Sequence, residues 1–65
     1  METVTVHVLE SYKDNDRYFV EGDILTLYNR QTEDKYFWTH YNGRFKILKE
    51  NCRVLKRGNV PENVL

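Results

Sequence analysis

The sequence lacks alanine altogether and contains one cysteine and one proline among its 65 residues. Alanine is the strongest helix former, whereas valine, threonine, tyrosine and phenylalanine, which are abundant here, favour half-buried strands. The composition therefore predicts an all-β domain. The single cysteine, Cys52, has no partner for an internal disulfide, which excludes the disulfide-stapled class of small secreted domains.

Long hydrophobic runs are also missing. No apolar run approaches the roughly 18 residues that a membrane span requires. The first ten residues lack the basic start and the apolar stretch of a signal peptide. These absences predict a cytoplasmic protein without a membrane partner. A chain of this size buries only roughly 60% of the surface that it exposes when unfolded, so we expect a single small core.

The chain has no net charge, because ten basic and ten acidic residues cancel. It therefore lacks the excess of lysine and arginine that phosphate binding relies on. The two halves differ, since residues 1–34 carry eight acidic and three basic residues, whereas residues 35–65 carry two acidic and seven basic ones. In so small a fold the halves interleave, and we expect mutual salt bridges rather than a basic partner-binding surface.

Strict alternation of apolar and polar residues predicts strands. In residues 3–9 it places Val4, Val6 and Val8 on one buried face. Further strands are predicted for four runs, which are residues 24–30, 35–41, 44–48 and 52–55. We therefore expect a small, partly open, five-stranded barrel in residues 1–57, followed by a C-terminal tail in residues 58–65.

The connections between these strands differ in length. Residues 10–23 are predicted to form a long irregular loop, held to the body of the domain by Tyr18, Phe19 and Val20. Asn42-Gly43 readily adopts the positive φ values of a type I′ turn, which predicts a tight hairpin between the third and fourth strands.

Several short motifs occur in a particular order along residues 8–55. They are residues 8–12, Glu21-Gly22-Asp23-Ile24, Phe37-Trp38, Asn42-Gly43-Arg44, Asn51 and Val54-Leu55. This order resembles that of a Src-homology-3 (SH3) domain, with Asn51 in the one-turn helix of that family. The resemblance implies a small barrel that binds proline-rich peptides across an aromatic-lined groove.

The groove residues depart from the family pattern. Glu10 stands in place of the first motif tyrosine, Lys49 in place of the groove proline, and Cys52 in place of the following tyrosine. Only Tyr12 and one of the two aromatic residues in Phe37-Trp38 remain as stacking faces. We therefore do not expect this chain to bind proline-rich peptides.

Groups suited to catalysis or metal binding are few. One serine, one cysteine and two histidines are scattered through the sequence, without the spacing of a zinc site. Cys52 is expected to be a small buried strand residue rather than a nucleophile. The acidic residues of the loop at 14–23 lack the glycine and closing glutamate of an EF-hand. The sequence predicts no enzymatic activity, no metal site and no cofactor.

The aromatic segment at residues 35–41 is the most informative part of the sequence. Alternation places Tyr36, Trp38 and His40 on one face and Phe37 and Tyr41 on the other. One alternative is that Phe37 and Trp38 fill the core. Otherwise one row of rings is exposed, and exposed rings beside basic residues either anchor a protein interface or stack nucleobases.

We therefore predict a non-catalytic module that binds another protein, either a host or assembly component or a second copy of itself. The predicted binding residues combine the aromatic strand, the hairpin and two loop tyrosines: Tyr12, Tyr18, Tyr36, Trp38, His40, Arg44 and Lys46. The alternative is a single-stranded nucleic-acid-binding barrel that uses the same surface. A small domain of this kind resembles accessory proteins of bacteriophages and prophages.

Overall fold

The computed structural model describes residues 1–40, 43 and 45–61, which form an all-β protein. Its elements are β1 (Glu2–Val8), β2 (Tyr12–Asp14), β3 (Arg17–Phe19), β4 (Ile24–Asn29), β5 (Tyr36–Trp38), β6 (Lys46–Leu48), a 3₁₀-helix (Lys49–Asn51) and β7 (Cys52–Asn59). The composition-based expectation of a β protein is confirmed. In this part of the chain no helix is long and apolar enough to cross a membrane.

The strands form one large antiparallel sheet and one small hairpin. The five-stranded sheet has the order β6-β5-β4-β1-β7, and β2 pairs with β3 separately. Within the described residues, β6 and β7 are the two edges of the large sheet and do not pair with each other. The sheet is therefore not closed into a barrel by hydrogen bonds.

One apolar cluster forms the core of the described structure. The buried face predicted for β1 is confirmed, since all three of its valines are fully buried. The remaining strands add one residue each or none, so that the cluster consists of Val4, Val6, Val8, Phe19, Leu27, Phe37 and Ile47. Burying a side chain of this size contributes about 1.5–3 kcal/mol, so these few residues provide most of the driving force for folding.

Residues 10–23 are not irregular as predicted, because they contain the β2–β3 hairpin. Asn15, at its turn, has a φ of 54°, in the left-handed region that asparagine tolerates. Of the three residues predicted to hold this segment, only Phe19 is buried, while Tyr18 is 62% exposed and Val20 50% exposed. The reason is that successive strand residues face opposite sides, so a three-residue strand directs only its alternate residues to the core.

Two ion pairs join distant parts of the described chain. Lys46 Nζ lies 3.7 Å from Asp14 Oδ1, and Arg57 donates to Glu2 at 2.9 Å. The backbone N–H of Lys46 also donates to Asp14 Oδ2 at 3.0 Å, which fixes the hairpin against the edge of β6. Each pair combines an acidic residue of the first half with a basic residue of the second, as expected from the charge distribution.

The last strand is longer than the sequence pattern indicated. β7 continues to Asn59 and pairs with β1, with Gly58 opposite Thr3. Beyond it, Met1 and Val60 exchange two backbone hydrogen bonds of 2.9 and 3.0 Å. The predicted start of the tail at residue 58 therefore falls within a paired strand, and residues 62–65 lie outside the described residues.

The third predicted strand is shorter than expected. β5 ends at Trp38, which lies opposite Lys46 of β6. The pairing extends by one bond, since Thr39 N–H donates to the carbonyl of Phe45 at 3.0 Å. The predicted Asn42-Gly43 turn rests on Asn42, which lies outside the described residues.

Candidate functional site

The register of β5 and β6 decides which row of rings faces the core. Phe37 and Ile47 lie opposite each other and are buried in the core cluster. Because side chains alternate along a strand, Tyr36 and Trp38 lie on the outer face of the sheet, where both are half-buried. Phe37 is thus a core residue, and Tyr36 and Trp38 are the rings available to a partner.

Tyr36, Trp38 and Lys46 form a compact group on this outer face. The two rings meet edge to face, with centroids 6.5 Å apart and planes at 66°. Lys46 Nζ lies 5.2 Å from the Tyr36 centroid and 5.5 Å from the Trp38 centroid. The cation is therefore placed over both rings, where cation–π attraction holds it.

Two further residues, which no sequence pattern predicted as binding residues, complete this group. The guanidinium carbon of Arg30 lies 4.0 Å from the Trp38 ring centroid, and Arg30 also donates to the carbonyl of Gly43 at 3.2 Å. Asp34 Oδ2 accepts the indole N–H of Trp38 at 2.8 Å. Both side chains come from the loop between β4 and β5. No local pattern in the sequence predicts that they contact Trp38. We refer to the five residues Arg30, Asp34, Tyr36, Trp38 and Lys46 as the β5–β6 cluster.

The carboxylate of Asp34 fixes the orientation of the tryptophan. Its pKa is lowered from the usual aspartate value, chiefly by the hydrogen bond from the Trp38 indole and also by one from the backbone N–H of Tyr36, 3.2 Å away. Both donors stabilise the ionised form, so Asp34 is a carboxylate at neutral pH. The indole ring is thus held at its nitrogen by Asp34 and covered on its face by Arg30.

This hydrogen bond predicts a pH-dependent signal from Trp38, the only tryptophan of the chain. Because the pKa of Asp34 is lowered in the folded state, its stabilising contribution is present at neutral pH and is lost as the pH falls through the folded pKa. We expect tryptophan fluorescence to change with a midpoint below the ordinary aspartate value of about 3.9. Circular dichroism over the same range checks that the chain stays folded.

The matched variant is Asp34→Asn, which retains an oxygen acceptor for the indole but cannot titrate. Its fluorescence is expected to show no transition in this pH range. A transition that persists in Asp34→Asn, or a midpoint at or above the ordinary value, would contradict the assignment of the lowered pKa to this contact.

The other predicted binding residues are not gathered into the β5–β6 cluster. Tyr12 packs on Phe19, with centroids 6.3 Å apart, and lines a shallow pocket between the hairpin and the 3₁₀-helix. Tyr18 is exposed on the hairpin with Lys13 Nζ 6.0 Å from its ring. Tyr12 belongs to β2, which contacts β6, whereas Tyr18 belongs to β3.

His40 was predicted on the same face as Tyr36 and Trp38, but the structure does not place it in the strand with them. The alternation ends with β5 at Trp38, and His40 lies in the following bend. There it lines a separate pocket with Arg17, Leu25 and Phe45. Arg44, the remaining predicted residue, lies outside the described residues.

Lys49, which stands in place of the groove proline of the SH3 pattern, lies against the ring of Phe37. Lys49 Nζ lies 5.3 Å from the ring centroid of Phe37 and donates to the carbonyls of Gln31 and Thr32 at 3.2 and 3.4 Å. Phe37 is only 3% exposed. It therefore offers no open ring face to a peptide, and Trp38 is the member of the Phe37-Trp38 pair that a ligand can reach.

Cys52 has the environment of a structural residue. It is half-buried at the start of β7, and its Sγ–H donates to the carbonyl of Leu48 at 3.5 Å. Burial raises the pKa of its thiol to about 11, so the thiolate nucleophile is scarce at neutral pH. Among the described residues, no three histidine, cysteine, aspartate or glutamate side chains are grouped closely enough to hold a metal ion.

Comparisons of the chain with protein-family models, with curated proteins and with solved structures found no match. The functional interpretation therefore depends on the geometry of the chain's own residues. The bacteriophage or prophage origin and the cytoplasmic location stay predictions from the sequence.

Proposed function

We propose that this chain is a non-catalytic interaction module with an SH3-like fold that binds another protein through the β5–β6 cluster. The SH3-like part of the proposal is supported by the order of elements. A long connection containing a hairpin separates β1 from β4, the antiparallel pair β5–β6 follows, and a one-turn 3₁₀-helix precedes the last strand. The resemblance seen in the sequence rests on the same order.

The observation that supports protein binding best is the fixed position of Trp38. Its ring is half-buried on the outer face of β5, with Asp34 on its indole nitrogen and Arg30 on its face. Tryptophan, tyrosine and arginine are the residues most enriched in the energetic centres of protein interfaces. A ring that is already immobilised loses little conformational entropy when a partner covers it, which favours affinity.

Two features make single-stranded nucleic acid the less favoured ligand. The first is that the face of Trp38 already carries Arg30 at 4.0 Å, whereas stacking of a nucleobase needs an open ring face. The second is that Lys46 is paired with Asp14 and that the cluster itself contains the carboxylate of Asp34, which accepts the indole N–H of Trp38. The cluster therefore offers little excess positive charge to a phosphate backbone.

The test combines ligand titration with partner capture. In an amide NMR spectrum of the pure protein, oligo(dT) and a proline-rich peptide are expected to leave the signals of residues 36–46 unchanged. A protein captured from a lysate of the source organism is expected to bind at least about tenfold more weakly to the double variant Tyr36→Ala with Arg30→Gln. Sedimentation of the pure protein shows whether that partner is a second copy.

The matched control is Tyr18→Ala with Lys13→Gln, which likewise removes one tyrosine and one cation, here from a tyrosine–cation pair on the hairpin. This control is expected to retain the partner, and both variants must keep dispersed amide signals. Shifts of residues 36–46 with oligo(dT), weakened steeply by salt, would instead establish the nucleic-acid alternative. Equal capture by the cluster variant and the wild type would show that the partner binds elsewhere.

A further inference from the structure

The two edges of the large sheet differ in whether another part of the chain covers them. The edge at β6 is covered by the hairpin, through the hydrogen bond from Lys46 N–H to Asp14. The edge at β7 has no such cover, because within the described residues β7 pairs on one side only, with β1. β7 is also the longest strand, with eight residues. It therefore presents the longest open strand edge of the described structure.

The direction of the free backbone groups follows from the ladder between β1 and β7. Met1 and Val60 exchange both of their backbone hydrogen bonds, at 2.9 and 3.0 Å. In an antiparallel pair, bonded and non-bonded positions alternate, so the N–H and C=O groups of Arg57 and Asn59 point away from β1. Such unpaired groups form a template on which a further strand can pair.

The side chains along this edge are basic and exposed. Arg53, Lys56 and Arg57 all lie in β7, and the strand contains no acidic residue. One of these charges has an acidic partner, since Arg57 donates to Glu2 at 2.9 Å. Leu55, at the position where the register with β1 shifts, is 50% exposed in the middle of the basic residues.

This charge pattern distinguishes between two kinds of occupant. A second copy of the chain would place one basic β7 against another, and like charges on neighbouring strands are destabilising. Lysines on an edge strand commonly prevent such self-pairing for this reason. The same cations attract a strand that carries carboxylates. An acidic partner therefore binds this edge more tightly, whereas a second copy of the chain is repelled.

We infer that the outer edge of β7 binds an extended acidic segment of a partner protein by strand addition. The backbone of that segment pairs with Arg57 and Asn59, and its carboxylates lie beside Arg53, Lys56 and Arg57. Leu55, which the register shift leaves out of regular pairing, contacts an apolar side chain of the partner. This surface lies at the opposite edge of the sheet from the β5–β6 cluster, so the inference is independent of the proposed function.

The test uses short capped peptides as probes. A peptide of alternating glutamate and threonine is expected to shift the amide signals of β7 and to slow hydrogen exchange at the amides of Arg57 and Asn59. The same peptide with alternate backbone amides N-methylated keeps its charge but cannot pair, and it is expected to bind at least about tenfold more weakly. Equal binding of the methylated peptide, or shifts at residues 36–46 instead of β7, would overturn the inference.

Charge-reversal variants provide the second arm of the test. Arg53→Glu with Lys56→Glu is expected to weaken binding of the acidic peptide roughly tenfold at low salt. Lys13→Glu with Lys35→Glu makes the same change in net charge at exposed positions outside β7 and is expected to leave binding within about twofold. An equal loss in both variants would show that only the net charge matters and would overturn the inference. All four positions lie outside the β5–β6 cluster, so this result is distinguishable from failure of the proposed function.

Discussion

Replacement of Phe19 by alanine is expected to leave a large fraction of the protein unfolded. Phe19 is fully buried and is the residue of β3 that joins the core cluster. Truncation of a buried phenylalanine costs about 3–5 kcal/mol, whereas a chain of this length has a total stability of only about 3–10 kcal/mol. Urea denaturation followed by circular dichroism measures the loss in the free energy of unfolding.

The adjacent residue supplies the control. Tyr18 precedes Phe19 in the same strand but is 62% exposed. Tyr18→Ala is therefore expected to change the free energy of unfolding by no more than about 0.5 kcal/mol. Three residues, Tyr18, Phe19 and Val20, were predicted to hold this segment, and only Phe19 is buried in the core. Similar losses in the free energy of unfolding for the two variants would contradict this finding.

Truncation of the chain after Arg57 is expected to destabilise the protein strongly compared with truncation after Pro61. The four residues that distinguish the two chains include Gly58, which pairs with Thr3, and Val60, which exchanges two hydrogen bonds with Met1. Since each net hydrogen bond contributes about 0.5–1.5 kcal/mol, we expect a difference of about 2–4 kcal/mol. Thermal and urea unfolding of the two truncated chains measure it.

The comparison of two truncations isolates residues 58–61, because both chains lack residues 62–65 and both end in a free carboxylate. Protection of the Thr3 amide from hydrogen exchange is expected only in the longer chain. Two truncated chains of equal stability would show that residues 58–61 behave as the tail predicted from the sequence and that the end of β7 adds nothing to the fold.

Strands with a strict alternation of apolar and polar residues could be predicted from the sequence alone. The buried valines of β1 were identified because a half-buried strand repeats every two residues. The absence of alanine and the wealth of β-branched and aromatic residues determined the all-β class. The charge cancellation between the two halves was visible in the composition, and the ion pairs from Asp14 to Lys46 and from Glu2 to Arg57 are consistent with it.

The end of the chain shows where a local pattern is insufficient. Residues 56–59 have no apolar alternation, and the sequence therefore predicted a tail beginning inside this segment. They form a strand because the backbone of β1 provides hydrogen-bond partners. Main-chain hydrogen bonds do not depend on the hydrophobicity of the side chains, from which the sequence pattern is derived. The strands of the β2–β3 hairpin were not predicted either, because three residues are too few to show the alternation of apolar and polar side chains.

The candidate site was determined only in part by the sequence. The aromatic segment at residues 35–41 was recognised, but two rows of rings with similar composition gave no indication of which one faces the core. The tertiary structure decided this by placing Phe37 opposite Ile47. It also brought Arg30 and Asp34 to Trp38, and it placed His40 in the bend that follows the end of β5. The sequence alone determined the class of the fold and the buried face of β1, since these follow from contacts and periods within a few residues. The position of Trp38 on the outer face, its partners and the open edge of β7 depend on pairing between distant segments, which only the folded chain specifies.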